Sequence, residues 1–203
     1  ALQMLKPGGE AYAYGDPGQA IFSESKGLQP GQLPYAWRRA NAEESLQKGY
    51  RCGEGVAGPA SSVLSTYYDL PAELFTADHG SKIDTWDLRT QNRPPTGMVL
   101  CYSRKDVTKV FTRWKLSDTP IVPGIANPNE QLVVCTGHAA KGAEADEVFV
   151  APWSAMAMRE LYKDDAAALK LLYVMMTRAR FKLHLPGELA AVVRSKIRGK
   201  SMV

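Results

Sequence analysis

The sequence has no run of about 18 uninterrupted apolar residues, the length a helix needs to cross a bilayer. Its first residues, ALQMLKPGGE, lack the basic and apolar regions of a signal peptide. A membrane role is therefore not expected, and a cytoplasmic location is. Cysteine is scarce: Cys52, Cys101 and Cys135 stand far apart, with no C-x-x-C pair and no metal-ligand spacing to the three histidines. Reduced, buried thiols are the expectation, and no metal site. No internal repeat, low-complexity segment or nucleophile elbow occurs, so solenoids and serine-hydrolase chemistry are not indicated. A phosphate-binding G-x-x-x-x-G-K-[ST] loop is missing as well: Lys141 and Gly142 suggest one, but the spacing is absent and Ala143 follows.

What is present is an ordinary soluble composition, 45% hydrophobic and 23% charged. Lys and Arg exceed Asp and Glu by 25 to 21, a balance compatible with a polyanionic partner without requiring one. EAYAYG (10–15) is a short strand candidate, followed by a loop rich in glycine and proline over 15–34. A helix is expected in the second half of 53–70, starting near Pro59, since proline is tolerated in a first turn. Residues 71–97 read as a polar connection with one short strand. GMVLCYS (97–103) is a buried-strand run, and 104–116 follows with Val107, Val110, Phe111 and Trp114 at helical spacing.

The same grammar recurs in QLVVCTG (131–137), DEVFVAP (146–152), a long helical stretch from about Ser154 to Arg178, FKLHLP (181–186) and a terminal helix over 187–198. Strands this apolar are covered on both faces, the habit of a parallel sheet in a doubly wound α/β fold. Residues 46–203 are thus expected to form one α/β domain, and 1–45 the tail of a neighbouring one.

Four stretches carry candidate chemistry, each expected at a strand end or in the loop after it. In GDPGQAIF (15–22), Gln19 offers both a donor and an acceptor on a tight turn. Arg51 precedes a Gly-rich entry to a helix, where a guanidinium fork suits a phosphate. VVCTGHAAKGAEADEVFV (133–150) places His138 and Glu144 between two strands. In LLYVMMTRAR (171–180), Leu172, Tyr173 and Met176 form a core-facing stripe that ends at Arg178, where a helix C-terminus favours positive charge.

In their order and spacing these stretches resemble the third to sixth motifs of the UvrD/Rep-like superfamily 1 DNA helicases. GDPGQAIF resembles G-D-x-D-Q-S-I-Y, LQKGYR (46–51) the motif ending N-Y-R, TGHAAKGAE (136–144) T-x-H-x-x-K-G-x-E, and LLYVMMTRA the motif L-x-Y-V-x-x-T-R-A. The resemblance implies a RecA-like, mainly parallel sheet flanked by helices: a P-loop NTPase-like second motor domain over 46–203, preceded in 1–45 by a remnant of the first. In that family the two domains clamp ATP and Mg²⁺ and walk along single-stranded DNA or a junction of single and double strand.

The resemblance implies that Gln19 senses the γ-phosphate and that Arg51 and Arg178 act as arginine fingers, Arg178 projecting into the cleft between the domains. It implies that Glu144, with Gly142 beside it, lines the nucleotide, and that Phe22, Thr136 and His138 lie on the nucleic-acid path. The Walker A and B motifs, which hold the phosphates and Mg²⁺, are not matched, so this chain by itself is not expected to hydrolyse ATP; a further N-terminal motor domain would carry them. Residues 71–97 would be a reduced form of the accessory domain often inserted there. The alternative is a degenerate helicase-like module that binds nucleic acid or protein.

Overall fold

The computed structural model describes residues 51–65, 77, 79–117 and 126–200. The strand expected at 10–15, the 1–45 remnant, Gln19 and Phe22 lie outside the described residues. Five strands and five helices follow one another along the rest. They are α1 (Glu54–Val63), β1 (Lys82–Trp86), β2 (Gly97–Cys101), α2 (Arg104–Trp114), β3 (Leu132–Thr136), β4 (Ala145–Val150), α3 (Ala155–Tyr162), α4 (Ala166–Met176), β5 (Ala179–Pro186) and α5 (Gly187–Lys200).

The strands form one sheet in the order β1-β5-β4-β2-β3, every neighbouring pair parallel. β2 is buried along its whole length, as an apolar run covered on both faces must be. One face carries α1, α3, α4 and α5 over a core that includes Leu100, Val148, Leu172, Met176, Leu183 and Leu185. The other carries α2, whose Val107 and Val110 pack with Val99, Val134, Phe149 and Trp86. β1, at the sheet edge, is the short strand expected within 71–97. It pairs with β5 from Lys82↔Lys182 to Trp86↔Pro186, and the Trp86 indole N–H donates to the carbonyl of Val150 at 2.8 Å.

Two helix expectations are corrected. The stretch from Ser154 to Arg178 is two helices, because Asp164 takes a left-handed φ of 56° and Asp165 then caps α4, its carboxylate accepting from the Ala168 N–H at 3.0 Å. The helix expected from Pro59 begins at Glu54 and holds Pro59 inside it. The glycines before Pro59 read as loop, yet they serve packing: a Cβ on Gly53 would lie 2.1 Å from the His79 carbonyl oxygen, and one on Gly55 2.1 Å from that of Ser81. Residues 53–58, GEGVAG, do spell the letters of a dinucleotide-binding G-x-G-x-x-G. Backbone occupies the space beside the first two glycines, so the pattern here reflects close approach of α1 to the segment leading into β1.

Among the described residues no helix is long and apolar enough to cross a membrane.

Candidate functional site at the leading ends of β4 and β5

α4 is almost wholly buried and ends at Met176, leaving its last carbonyls without helical donors. Arg178, two residues on, turns back to satisfy them. Its Nε donates to the Val174 carbonyl at 2.9 Å, one terminal nitrogen to the Ala143 carbonyl at 3.2 Å, and the other to Thr177 Oγ1 at 3.1 Å. The side chain has no solvent exposure. A buried guanidinium demands this degree of satisfaction, and the negative end of the α4 dipole favours its charge. Through these three contacts Arg178 straps the end of α4 to the segment that enters β4. The backbone repeats the link, since the Ala145 N–H donates to the Arg178 carbonyl at 3.0 Å.

Arg51 reaches the same locality from the start of α1. Its Nε donates to Glu144 Oε2 at 2.8 Å across 93 residues of sequence, and the two side chains are 31% and 48% exposed. Cys52 anchors this segment: its thiol donates to the Thr177 carbonyl at 3.5 Å, and its own carbonyl accepts from the Ala77 N–H at 2.7 Å. Burial pushes the Cys52 thiol up to about 11 against the opposing pull of Arg51 and Arg178, so it stays protonated at neutral pH. An exposed ion pair of this kind contributes about 1 kcal/mol or less. Arg51 can therefore leave Glu144 for a stronger anion at little cost, whereas Arg178 would give up three hydrogen bonds, leaving the Val174 carbonyl with Thr177 Oγ1 alone as a side-chain donor.

The turn from 137 to 144 joins β3 to β4 across β2 and begins with Thr136 and His138 at the trailing end of β3. Thr136 Oγ1 accepts from the Ala139 N–H at 3.2 Å, and its carbonyl accepts from the Ala140 N–H at 3.1 Å, so the turn starts coiled. Gly137 sits against α4: a Cβ there would lie 2.5 Å from Met175 Cε and 2.9 Å from Leu171 Cδ1. His138 is partly buried, and burial lowers its pKa from the usual 6.5, which keeps the ring neutral at pH 7. Gly142 has φ +90° with open space around its Cα, so glycine is needed there for the backbone angle that brings Glu144 round to Arg51.

Glu144 and Arg178 thus precede their strands, where the sequence pattern leads one to expect them at strand ends or just after; only Thr136 and His138 occupy a trailing end. A bulge marks the locality. Ala145 pairs with Ala179 and Glu147 with Lys182, so Arg180 and Phe181 oppose Asp146 alone, and Arg180 Nη1 meets Asp146 Oδ1 at 3.2 Å. Sequence reasoning missed Cys52 and Gly137 as parts of this assembly. A lone cysteine and a glycine in a turn carry no local signal, and each acquires its role from α4 packed over it. Among the described residues no group of three or more His, Cys, Asp or Glu side chains is placed to hold a metal ion.

An all-parallel five-stranded sheet with helices on both faces places this domain in the α/β class. Residues 131–185, from β3 into β5, match the model of the UvrD-like helicase C-terminal domain. The matched span contains Thr136, His138, Gly142, Glu144 and Arg178.

Among solved structures, the chain is similar to the C-terminal domain of a possible DNA helicase from Lactobacillus plantarum WCFS1, at 18% identity over 72% of this chain and 96% of that one, with a TM-score of 0.46. It is also similar to the Arterivirus nonstructural protein 10 helicase in complex with DNA, at 13% identity over 72% of this chain and 27% of that one, with a TM-score of 0.40. No curated protein matches the chain.

Proposed function

We propose that this chain is the second motor domain of an ATP-dependent DNA helicase or translocase, working against a first motor domain that carries the Walker motifs. The observation that supports this most directly is the Arg51–Glu144 pair, which sets a weakly held guanidinium at the edge of the family-matched segment. ATP hydrolysis places negative charge on the γ-phosphoryl oxygens as the bond to the leaving diphosphate breaks, and a guanidinium supplied from a neighbouring domain stabilises it.

In this reading Arg51 exchanges Glu144 for a γ-phosphate oxygen when the domains close. Glu144, released from Arg51, accepts from the ribose hydroxyls, and Gly142 gives the turn the curvature that brings Glu144 there. Arg178 acts as a positioning residue, fixing the wall from which Arg51 reaches. The described residues fit one side of a nucleotide, with Arg51 as the phosphate donor. Ligands for Mg²⁺ would come from the first motor domain. Gln19, as the γ-phosphate sensor, and Phe22, as a base-stacking side chain, keep the roles the resemblance implies. Thr136 and neutral His138 contact the single strand by hydrogen bonds and not by charge.

The test is single-strand-stimulated ATP turnover by the complete protein and its Arg51→Ala variant. The expected result is a fall of about 10³-fold or more in kcat with KM much less changed. Unchanged turnover would remove Arg51 from the reaction and leave the fold as a nucleic-acid or protein-binding module.

A further inference from the structure

We propose that the outer face of α2, together with the turn before β2, is a second nucleic-acid surface that takes the phosphate backbone of a duplex. The segment from Asp87 to Leu116 contains seven Lys and Arg against two acidic residues, Asp87 and Asp106, although the whole chain carries only +4. Asp106 is buried in the capping box of α2, where Ser103 and Lys109 hold it, so its carboxylate is not displayed at the surface. Arg104, Lys105, Lys109 and Arg113 are all exposed on α2, and Lys115 follows at its C-cap. Lys105, Lys109 and Arg113 recur every four residues, one row of cations with steps of about 6 Å along a helix about 16 Å long.

The turn is fixed to this row. Arg113 donates to the carbonyls of Leu88 and Arg89, and Asp87 ties the turn together by accepting from the Arg89 N–H at 2.8 Å. Arg89 and Arg93 are thereby added to the same exposed field. Among the described residues Arg93, Arg104, Lys105 and Lys115 form no ion pair, so the field has no internal neutraliser at those positions.

The shape selects among polyanions. A single-strand track combines cations with exposed aromatic rings for base stacking. Here Phe111 and Trp114 lean into the core under α2, and the outer positions are Arg, Lys and Thr. The Thr108 and Thr112 hydroxyls are turned back onto helix carbonyls. A rigid convex row of cations without stacking surfaces suits backbone binding to a duplex, which presents one charge per ~1.7 Å of its axis. The surface lies on the sheet face opposite α4, away from Arg51 and Arg178. It adds a duplex-binding face to the proposed motor, resting on that reading only for why a duplex should be present.

The experiment measures binding of a fluorescein-labelled DNA duplex and of a single strand of the same length to the full chain, without ATP, across a KCl series. The variant is Arg93→Gln/Arg104→Gln/Lys105→Gln/Lys115→Gln. Duplex affinity is expected to fall at least about tenfold near 0.1 M salt, and the log–log salt slope to flatten by up to ~0.9 for each phosphate that is no longer neutralised, with single-strand binding less affected. Lys105→Glu alone, an acidic residue in a first helical turn and so compatible with folding, is expected to weaken the duplex more than Lys105→Gln. Duplex affinity and slope unchanged in the folded quadruple variant, or an equal loss on the single strand, overturns the proposal. Arg51→Ala is expected to leave this binding intact, so failure of the ATP-site reading and failure of this one give different results.

Discussion

Arg178→Ala separates a structural strap from a projecting finger. The substitution removes donors from the buried Val174 carbonyl, which keeps Thr177 Oγ1, from Thr177 Oγ1 itself, and from the part-buried Ala143 carbonyl. Hydrogen bonds to a charged donor contribute about 1.5–3 kcal/mol each, and a stranded buried acceptor costs about 1–3 kcal/mol. Water entering the space left by the side chain returns part of that. A net loss of about 3–5 kcal/mol follows, a large share of the ~5–15 kcal/mol that holds a typical domain together.

At about 2–4 °C per kcal/mol for a domain of this size, the melting temperature falls by roughly 10 °C or more. Arg178→Lys keeps the charge but replaces a planar fork with one nitrogen, so its loss is intermediate. The assay is urea denaturation followed by circular dichroism, alongside ATP turnover by the complete protein. A stability change below about 1 kcal/mol with turnover abolished would refute the strap and restore Arg178 as a finger that touches phosphate.

Glycine substitutions should rank by what their Cβ meets, as read by thermal denaturation. Gly53→Ala, 2.1 Å from a backbone carbonyl, should cost more than about 3 kcal/mol; Gly137→Ala, against the flexible end of Met175, about 1–3 kcal/mol; and Gly58→Ala, in open space within α1, should stabilise by about 0.5–1 kcal/mol. Burial raises the Cys52 and Cys135 thiols to about 11 and about 12, so both should resist a thiol reagent at pH 8 in the native chain and react once it unfolds. Burial also pushes the Asp106 carboxyl up, but hydrogen bonds from Lys109 and Ser103 outweigh it and hold the pKa below 3.8. A depressed carboxylate stabilises above its unfolded pKa and loses that contribution as pH falls through the folded value. Asp106→Asn should therefore cost about 1 kcal/mol at pH 7, and the gap to wild type should close below about pH 4 in a denaturation series.

Local chemistry made much of the fold legible. GMVLC, LVVCT and the apolar end of β4 read as strands because a strand buried on both faces has no polar side to show. The spacing of Val107 and Val110 gave α2, and Ser103 with Asp106 marks its start as a capping box. The Lys163–Asp165 break was hidden in a continuous helical pattern, because nothing local distinguishes an aspartate that adopts a left-handed φ from one on a helix surface. The start of α1 was hidden because glycines that permit close approach look the same in sequence as glycines that make loops.

The candidate site divides along the same line. By itself the sequence determined the residue types and their order, Arg51, then Thr136 to Glu144, then Arg178, and with them the resemblance that the match over 131–185 bears out. Only the tertiary structure decided which arginine is held loosely and which is locked. Arg51 and Glu144 meet across 93 residues because the β3–β4 crossover and the entry to α1 converge at the leading edge of the sheet. Arg178 faces inward because the last turn of α4 and the carbonyl of Ala143 present acceptors that a buried guanidinium must satisfy. Periodicity and composition act over a few residues, whereas the direction of a charged side chain is set by where distant segments leave unpaired hydrogen-bonding groups.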